Sequence, residues 1–162
     1  ERLEKEPLQH TEVRLVFTGC EESGCDGMRA YLDAHAGELK EALFIDLELV
    51  GIGERLVYLQ TEGLVRPRRI DPGVEALVRQ IGEFYPIQPI SGANFGVFTE
   101  MGVAWERGLK GVCLLVLREG SSLLPEWHRL SDTAERLEPA AFERAHRFIW
   151  ALLQKLDSRE GI

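Results

Sequence analysis

Thr18-Gly19-Cys20-Glu21-Glu22-Ser23-Gly24-Cys25-Asp26-Gly27 is the stretch on which the fold turns. Before it runs Thr11–Thr18, with Val13, Leu15, Val16 and Phe17, short and β-branched enough to predict a central strand covered on both faces. After it Met28, Tyr31, Leu32 and His35 recur at helical spacing as far as Gly37. Glycines and acids between a strand and a helix mark the end of an open α/β sheet where chemistry tends to sit. Two adjacent carboxylates there are costly unless something positive meets them. Spacing alone leaves two options for Glu21-Glu22. One is an exposed pair facing the helix dipole. The other is a base beside a metal ligand.

Working outward, Leu43–Val50 predicts a second strand. Period two places Phe44, Asp46, Glu48 and Val50 on one face, with Ile45, Leu47 and Leu49 on the other. Acids on an otherwise apolar strand indicate either a wet face or carboxylates aimed at a cation. Arg55–Thr61 predicts a third strand, and Asp71-Pro72 opens a helix with Val74, Leu77, Val78 and Ile81 on its buried side. Pro86 and Pro89 make 85–90 extended or an edge strand. A short helix is expected from Phe95 to Met101. Gly111–Leu117 is the most apolar strand, and 118–133 is a long loop holding Trp127, His128 and Asp132. A last helix begins near Glu138-Pro139, with Phe142, Ala145, Ile149, Leu152 and Leu156 as its stripe. Strands alternating with helices give an α/β class with a mostly parallel sheet between helices.

Composition narrows the function classes. The chain has 162 residues, 44% hydrophobic and 28% charged, which suits one domain with a real core. A net charge of -8 disfavours nucleic acid or an anionic membrane surface as partner and suits a cation. No apolar run approaches the ~20 residues that span a bilayer. Cys20, Cys25 and Cys113 are expected as reduced thiols.

Glu21-Glu22, Glu48 and His128, taken in order, resemble the two-zinc aminopeptidases of metallopeptidase family twenty-eight. Its relatives include glutamate carboxypeptidase, glutaminyl cyclase and the transferrin-receptor-like domain. The resemblance lies in Gly19-Cys20-Glu21-Glu22-Ser23-Gly24 with Gly27 following, and in Asp46-Leu47-Glu48-Leu49-Val50-Gly51. It continues loosely through Ser91–Phe98 and ends in His128-Arg129-Leu130-Ser131-Asp132-Thr133. It covers about Thr11 to Leu156.

The resemblance implies a phosphorylase/hydrolase-like zinc exopeptidase fold, with residues 1–162 as the C-terminal part of one catalytic domain. It implies Glu21 as general base, Glu22 and His128 as ligands of one zinc, Glu48 as ligand of a second, and Asp132 as support for the His128 loop. The implied substrate is a peptide or amino-acyl compound, cleaved most simply by an aminopeptidase. A non-catalytic peptidase-like binding domain, and a glutaminyl-cyclase-like or carboxypeptidase activity, are the alternatives on the same fold. Three positions depart from the family pattern: Glu48 and Asn94 stand where Asp is common, and Arg129 where Thr is usual. The family also takes a His and a metal-bridging Asp from segments ahead of the Glu-Glu strand. The chain is therefore expected to be inactive by itself, as the later part of a longer protein.

Overall fold

Lys110–Leu117 (β5) is the strand on which the rest packs, and every residue from Gly111 to Leu117 is buried. Its alternating side chains thus meet cover on both faces. The computed structural model describes residues 2–63, 65–92 and 96–158. Around β5 lie Leu43–Glu48 (β1), Arg55–Glu62 (β2), Arg68–Arg69 (β3) and Gln88–Ser91 (β4). The described strands form one five-stranded sheet in the order β1-β5-β2-β3, with β4 also paired to β2. β1 runs parallel to β5 and β4 parallel to β2, whereas β2 is antiparallel to β5 and to β3. The α/β class and the mixed sheet are as the sequence predicts. Parallel pairing does not predominate, because two of these four pairings are antiparallel.

The helices follow their cap signals. In Pro72–Gly82 (α3) the Asp71 carboxylate accepts the Gly73 and Val74 N–H groups at 2.9 and 3.1 Å, and Val74, Leu77, Val78 and Ile81 are buried. Pro139–Asp157 (α5) opens on the proline expected. Its buried stripe is Ala141, Ala145, Phe148 and Leu152, turned away from Phe142, which is 43% exposed. α3 and α5 pack on each other and on β5. Asp26–His35 (α2) packs on Glu100–Glu106 (α4), and α4 lies against β1 and β5. Four residues, Arg2–Lys5 (α1), form a short helix before Pro7.

Two expectations are overturned. The helix foreseen from Phe95 to Met101 is α4, which begins only at Glu100. Thr99 caps it, its Oγ1 accepting the Met101 N–H at 3.1 Å. Residues 93–95, including Asn94, lie outside the described residues. The second correction is larger. Thr11–Thr18 forms no strand and pairs with none of the described strands, and Phe17 is 93% exposed. An apolar sequence becomes a buried strand only where a neighbour supplies the ladder and the cover. Here a cleft of about 690 Å³ separates Val13–Thr18 from Leu43–Leu47 along the outer edge of β1.

Candidate metal centre and active site

The Glu21-Glu22 turn is built by backbone bonds that the glycines allow. The Glu21 carbonyl accepts the N–H groups of Gly24 and Cys25, both at 2.9 Å, and the Gly19 carbonyl accepts that of Gly27 at 3.0 Å. A Cβ on Gly27 would meet the Gly19 carbonyl oxygen at 2.3 Å, so only glycine lets α2 start this close to the turn. Cys20 and Cys25 on either side of the carboxylate pair hold positive φ, at 57° and 59°. Leu49 after Glu48, and His128 itself, do the same at 47° and 56°. Left-handed backbone at non-glycine residues is uncommon and stays only where the surroundings enforce it. Four such residues therefore flank or form the site that the sequence singled out.

The pair Glu22 and His128 meets across 106 residues of chain. His128 Nε2 lies 2.9 and 3.1 Å from the two Glu22 carboxylate oxygens. Both side chains are open to solvent, at 72% and 56% exposure for Glu22 and His128. Trp127 backs the imidazole, with ring centroids 4.4 Å apart. Asp132 stands in the same loop, exposed, with its N–H donating to the Arg129 carbonyl. The carboxylate–imidazole contact that would let Asp132 orient His128 is not formed here; Trp127 and Glu22 hold the ring.

Glu48 lies in a second, half-buried cluster. One oxygen each of Asp46, Glu48 and Glu100 come within 4.8 Å of one another. Donor atoms of Glu21, Cys25 and Glu100 do likewise, so Glu100 is common to both groups. Thr18 Oγ1 donates to Glu100 Oε1 at 2.5 Å, which ties the segment before the turn to α4. Burial, then the charges of Asp46, Glu100 and Glu21, push the Glu48 carboxyl far above the ordinary carboxylate range. Asp46 is raised as well, chiefly by burial, with Thr99 and the Met101 N–H opposing. Glu21 is raised by burial and then by Glu100, Glu22 and Asp46, with His128 pulling the other way. Those partners place Glu21 between the exposed pair and the buried cluster.

A second layer holds the cluster. Thr99 Oγ1 lies 2.8 Å from Asp46 Oδ2 and 3.1 Å from each Glu62 oxygen. The Thr99 N–H donates to Glu62 at 2.9 Å, and the Met101 N–H donates to Asp46 at 3.1 Å. One hydroxyl has one proton and cannot donate to two carboxylates. A proton on one of the two acids, donated back to Thr99, would complete the arrangement. Fully buried Glu62, pushed up to about 7 chiefly by burial, suits that part.

Sequence reasoning singled out Glu21, Glu22, Glu48 and His128, and the fold brings Glu22 to His128. It assigned no role to Glu100, Thr99 or Glu62. Thr99 carried a usable signal, as an N-cap residue ahead of an apolar run. Glu100 carried none beyond being an acid in a first helical turn.

Carboxylate, imidazole and thiol are donor types that zinc accepts. Glu22 with His128 offers one oxygen and one nitrogen at a shared point, and the carboxylates of the cluster repel one another until a cation or protons intervene. These residues fit a metal site. The sequence model of peptidase family M28 matches residues 1–153. The chain belongs to peptidase family M28. No curated protein and no solved structure matches it. Membership in M28 implies metal-dependent peptidase chemistry, and in this M28 chain the possible acidic metal-binding groups are those just described.

Proposed function

We propose that the chain carries the water-activating half of a two-zinc exopeptidase, most simply an aminopeptidase acting on peptides or amino-acyl amides. The observation that carries this is the position of Glu21, electrostatically coupled to Glu22 and His128 on one side and to Asp46 and Glu100 on the other. On this reading Glu22 and His128 hold one ion, and Glu48, on the cluster it forms with Asp46 and Glu100, holds the second. The bound ions would supply Lewis acidity and would lower the pKa of water.

Glu21 takes a proton from the attacking water as the water oxygen bonds to the substrate carbonyl carbon. It returns the proton to the amine nitrogen as the C–N bond breaks. Partial burial lifts Glu21 above the ordinary carboxylate range, which improves it as a base for a weak acid. Thr99 and Glu62 do not touch substrate in this scheme; they fix Asp46, and through it the end of β1.

The donors assigned here number two for one ion and one to three for the other. A His and a bridging Asp from elsewhere in the full-length protein would complete them, as the family resemblance implies. The test is hydrolysis of an amino-acyl amide panel by zinc-loaded full-length protein. Activity that chelator abolishes and zinc restores is expected. A loaded protein that is silent across the panel would overturn the reading. Titration of zinc into this chain alone should show weak binding. Tight uptake of two ions would refute the ligand assignment.

A further inference from the structure

We propose that Glu138 is a positioning residue that holds the Glu48-bearing strand end and the His128-bearing loop at one fixed spacing. This rests on the peptidase reading above. Glu48 is the last residue of β1, and the chain behind it turns at once, with Leu49 at a φ of 47°. Residues 49–54 then cross the end of β5, because β1 and β2 lie on opposite sides of that strand. On the way the Glu54 N–H donates to the Leu117 carbonyl at 3.0 Å. Gly53 holds a φ of 118°, and a Cβ there would meet the Leu117 carbonyl oxygen at 2.6 Å, so the turn lies directly on the strand end.

The turn is bonded from outside. Gly51, Ile52 and Gly53 are buried. The Glu138 N–H donates to the Gly51 carbonyl at 2.8 Å, and Glu138 Oε2 accepts the Gly53 N–H at 3.1 Å. Arg144, further along α5, donates to the Gly53 carbonyl at 3.0 Å. A buried backbone group without a partner is costly, so these bonds fix where the turn sits. The other carboxylate oxygen of Glu138 lies 2.7 Å from Arg118 Nη2. Arg118 is the first residue of the 118–133 loop that carries His128, and Glu138 follows that loop at the start of α5. Arg118 Nη1 also donates to Glu54 at 2.9 Å, and the Glu119 N–H donates to the other Glu54 oxygen at the same distance. The Arg118–Glu138 pair is partly open to solvent and adds little by itself. Its geometry is what matters: one carboxylate grips the turn that leaves Glu48 and closes the base of the loop that presents His128. Glu138 acts through backbone and through Arg118, not on the ions.

The test joins zinc affinity of the full-length protein to amide exchange in this chain. Glu138→Ala should weaken zinc binding by ~10-fold, the scale of losing a group that orients a ligand, and kcat/KM should fall by a similar factor. In this chain, without zinc, the Gly53 and Glu54 amides should exchange ~10-fold faster. Glu138→Gln keeps an oxygen for the Gly53 N–H and should restore most of the zinc affinity. Arg118→Met leaves that bond in place and should weaken zinc by a smaller factor; it decides the matter if Glu138→Ala does not fold, and an unchanged affinity there would overturn the proposal. Asp71→Ala is the control for stability alone. It removes the cap of α3, beside Lys110 at the far end of β5, and should leave zinc affinity unchanged. An affinity that falls no further in Glu138→Ala than in Asp71→Ala would make Glu138 framework only. A Glu138→Gln variant as weak as Glu138→Ala would show that the Gly53 bond positions nothing, and would overturn the proposal too. Variants that differ in zinc affinity while no amide is hydrolysed would sustain the positioning role and sink the peptidase. Parent protein that takes up no zinc would sink both.

Discussion

The two halves of the site are built in opposite ways. Glu22 and His128 meet in solvent, each from a loop, with only Trp127 behind them. Asp46, Glu48 and Glu100 meet indoors, on a central sheet and the first turn of a helix, with Thr99 and Glu62 beneath them. An exposed ion pair adds little to stability and costs little to keep. Buried like charges oppose folding unless they are protonated or neutralised. The inner half is therefore a strained arrangement held by its framework, and the outer half is expected to tolerate change with little consequence for the fold. Glu21, between them, is where the two should differ most from their sum.

Glu21→Gln tests that middle position and carries the largest expected effect. It keeps the shape and removes the base, so kcat should fall by ~10²–10⁴-fold. Zinc uptake should stay near the parent value, because Glu21 is assigned no ligand role. Metal content by mass spectrometry and kcat on one amide substrate decide the matter. A variant that loses metal in proportion to activity would make Glu21 a ligand, and the division into two halves would have to be redrawn.

Thr99→Val attacks the framework under the inner half. It removes the hydroxyl shared by Asp46 and Glu62 and the cap of α4. Leaving buried acceptors without a donor costs ~1–3 kcal/mol, and losing a cap ~1 more. Denaturant unfolding should show a loss of about 3 kcal/mol. A loss below ~0.5 kcal/mol would mean that Thr99 organises nothing.

The pH dependence of stability sharpens the same contrast. Glu62 has a native pKa of about 7 against the ordinary 4.5, so the folded state holds its proton longer. Its contribution is fully present below about 4.5 and is lost as pH rises through about 7. Metal-free protein should lose roughly 2 kcal/mol between pH 5 and pH 7.5 from this group. Glu62→Gln should flatten that slope. A falling slope that Glu62→Gln leaves unchanged would show Glu62 ionised at neutral pH, and the shared proton would have to sit on Asp46.

Much of this was legible in the sequence, for reasons that local chemistry explains. β5 announces itself because Gly111–Leu117 is apolar in both parities, as only a doubly covered strand can be. Asp71-Pro72 announces α3 because the cap and the fixed φ of proline act within four residues. Period two put Asp46 and Glu48 on one face. Thr11–Thr18 has the same local signature as β5, yet it lies unpaired, because pairing is a property of the neighbour and not of the segment. Glu100 stayed hidden for a related reason. Its role arises only when α4 folds back onto β1 and α2, and no spacing along the chain records that. The grip of Glu138 was invisible too, since its partners come from the turn after β1 and the end of β5.

His128→Ala is the smallest expected effect on the fold and the closing test of the exposed half. The imidazole is 56% exposed and its partner Glu22 is 72% exposed, so screening leaves their attraction worth at most about 1 kcal/mol. Unfolding free energy should change by less than that, and the Glu62-linked pH slope should be unchanged. Catalysis should nevertheless be lost with the ligand, and zinc affinity of the full-length protein should fall. His128→Asn and His128→Ala should match in stability while Glu22→Gln reproduces their metal defect. A large loss of stability from His128→Ala would show that the ring is a structural support for the 118–133 loop through Trp127, and that the outer half is framework after all.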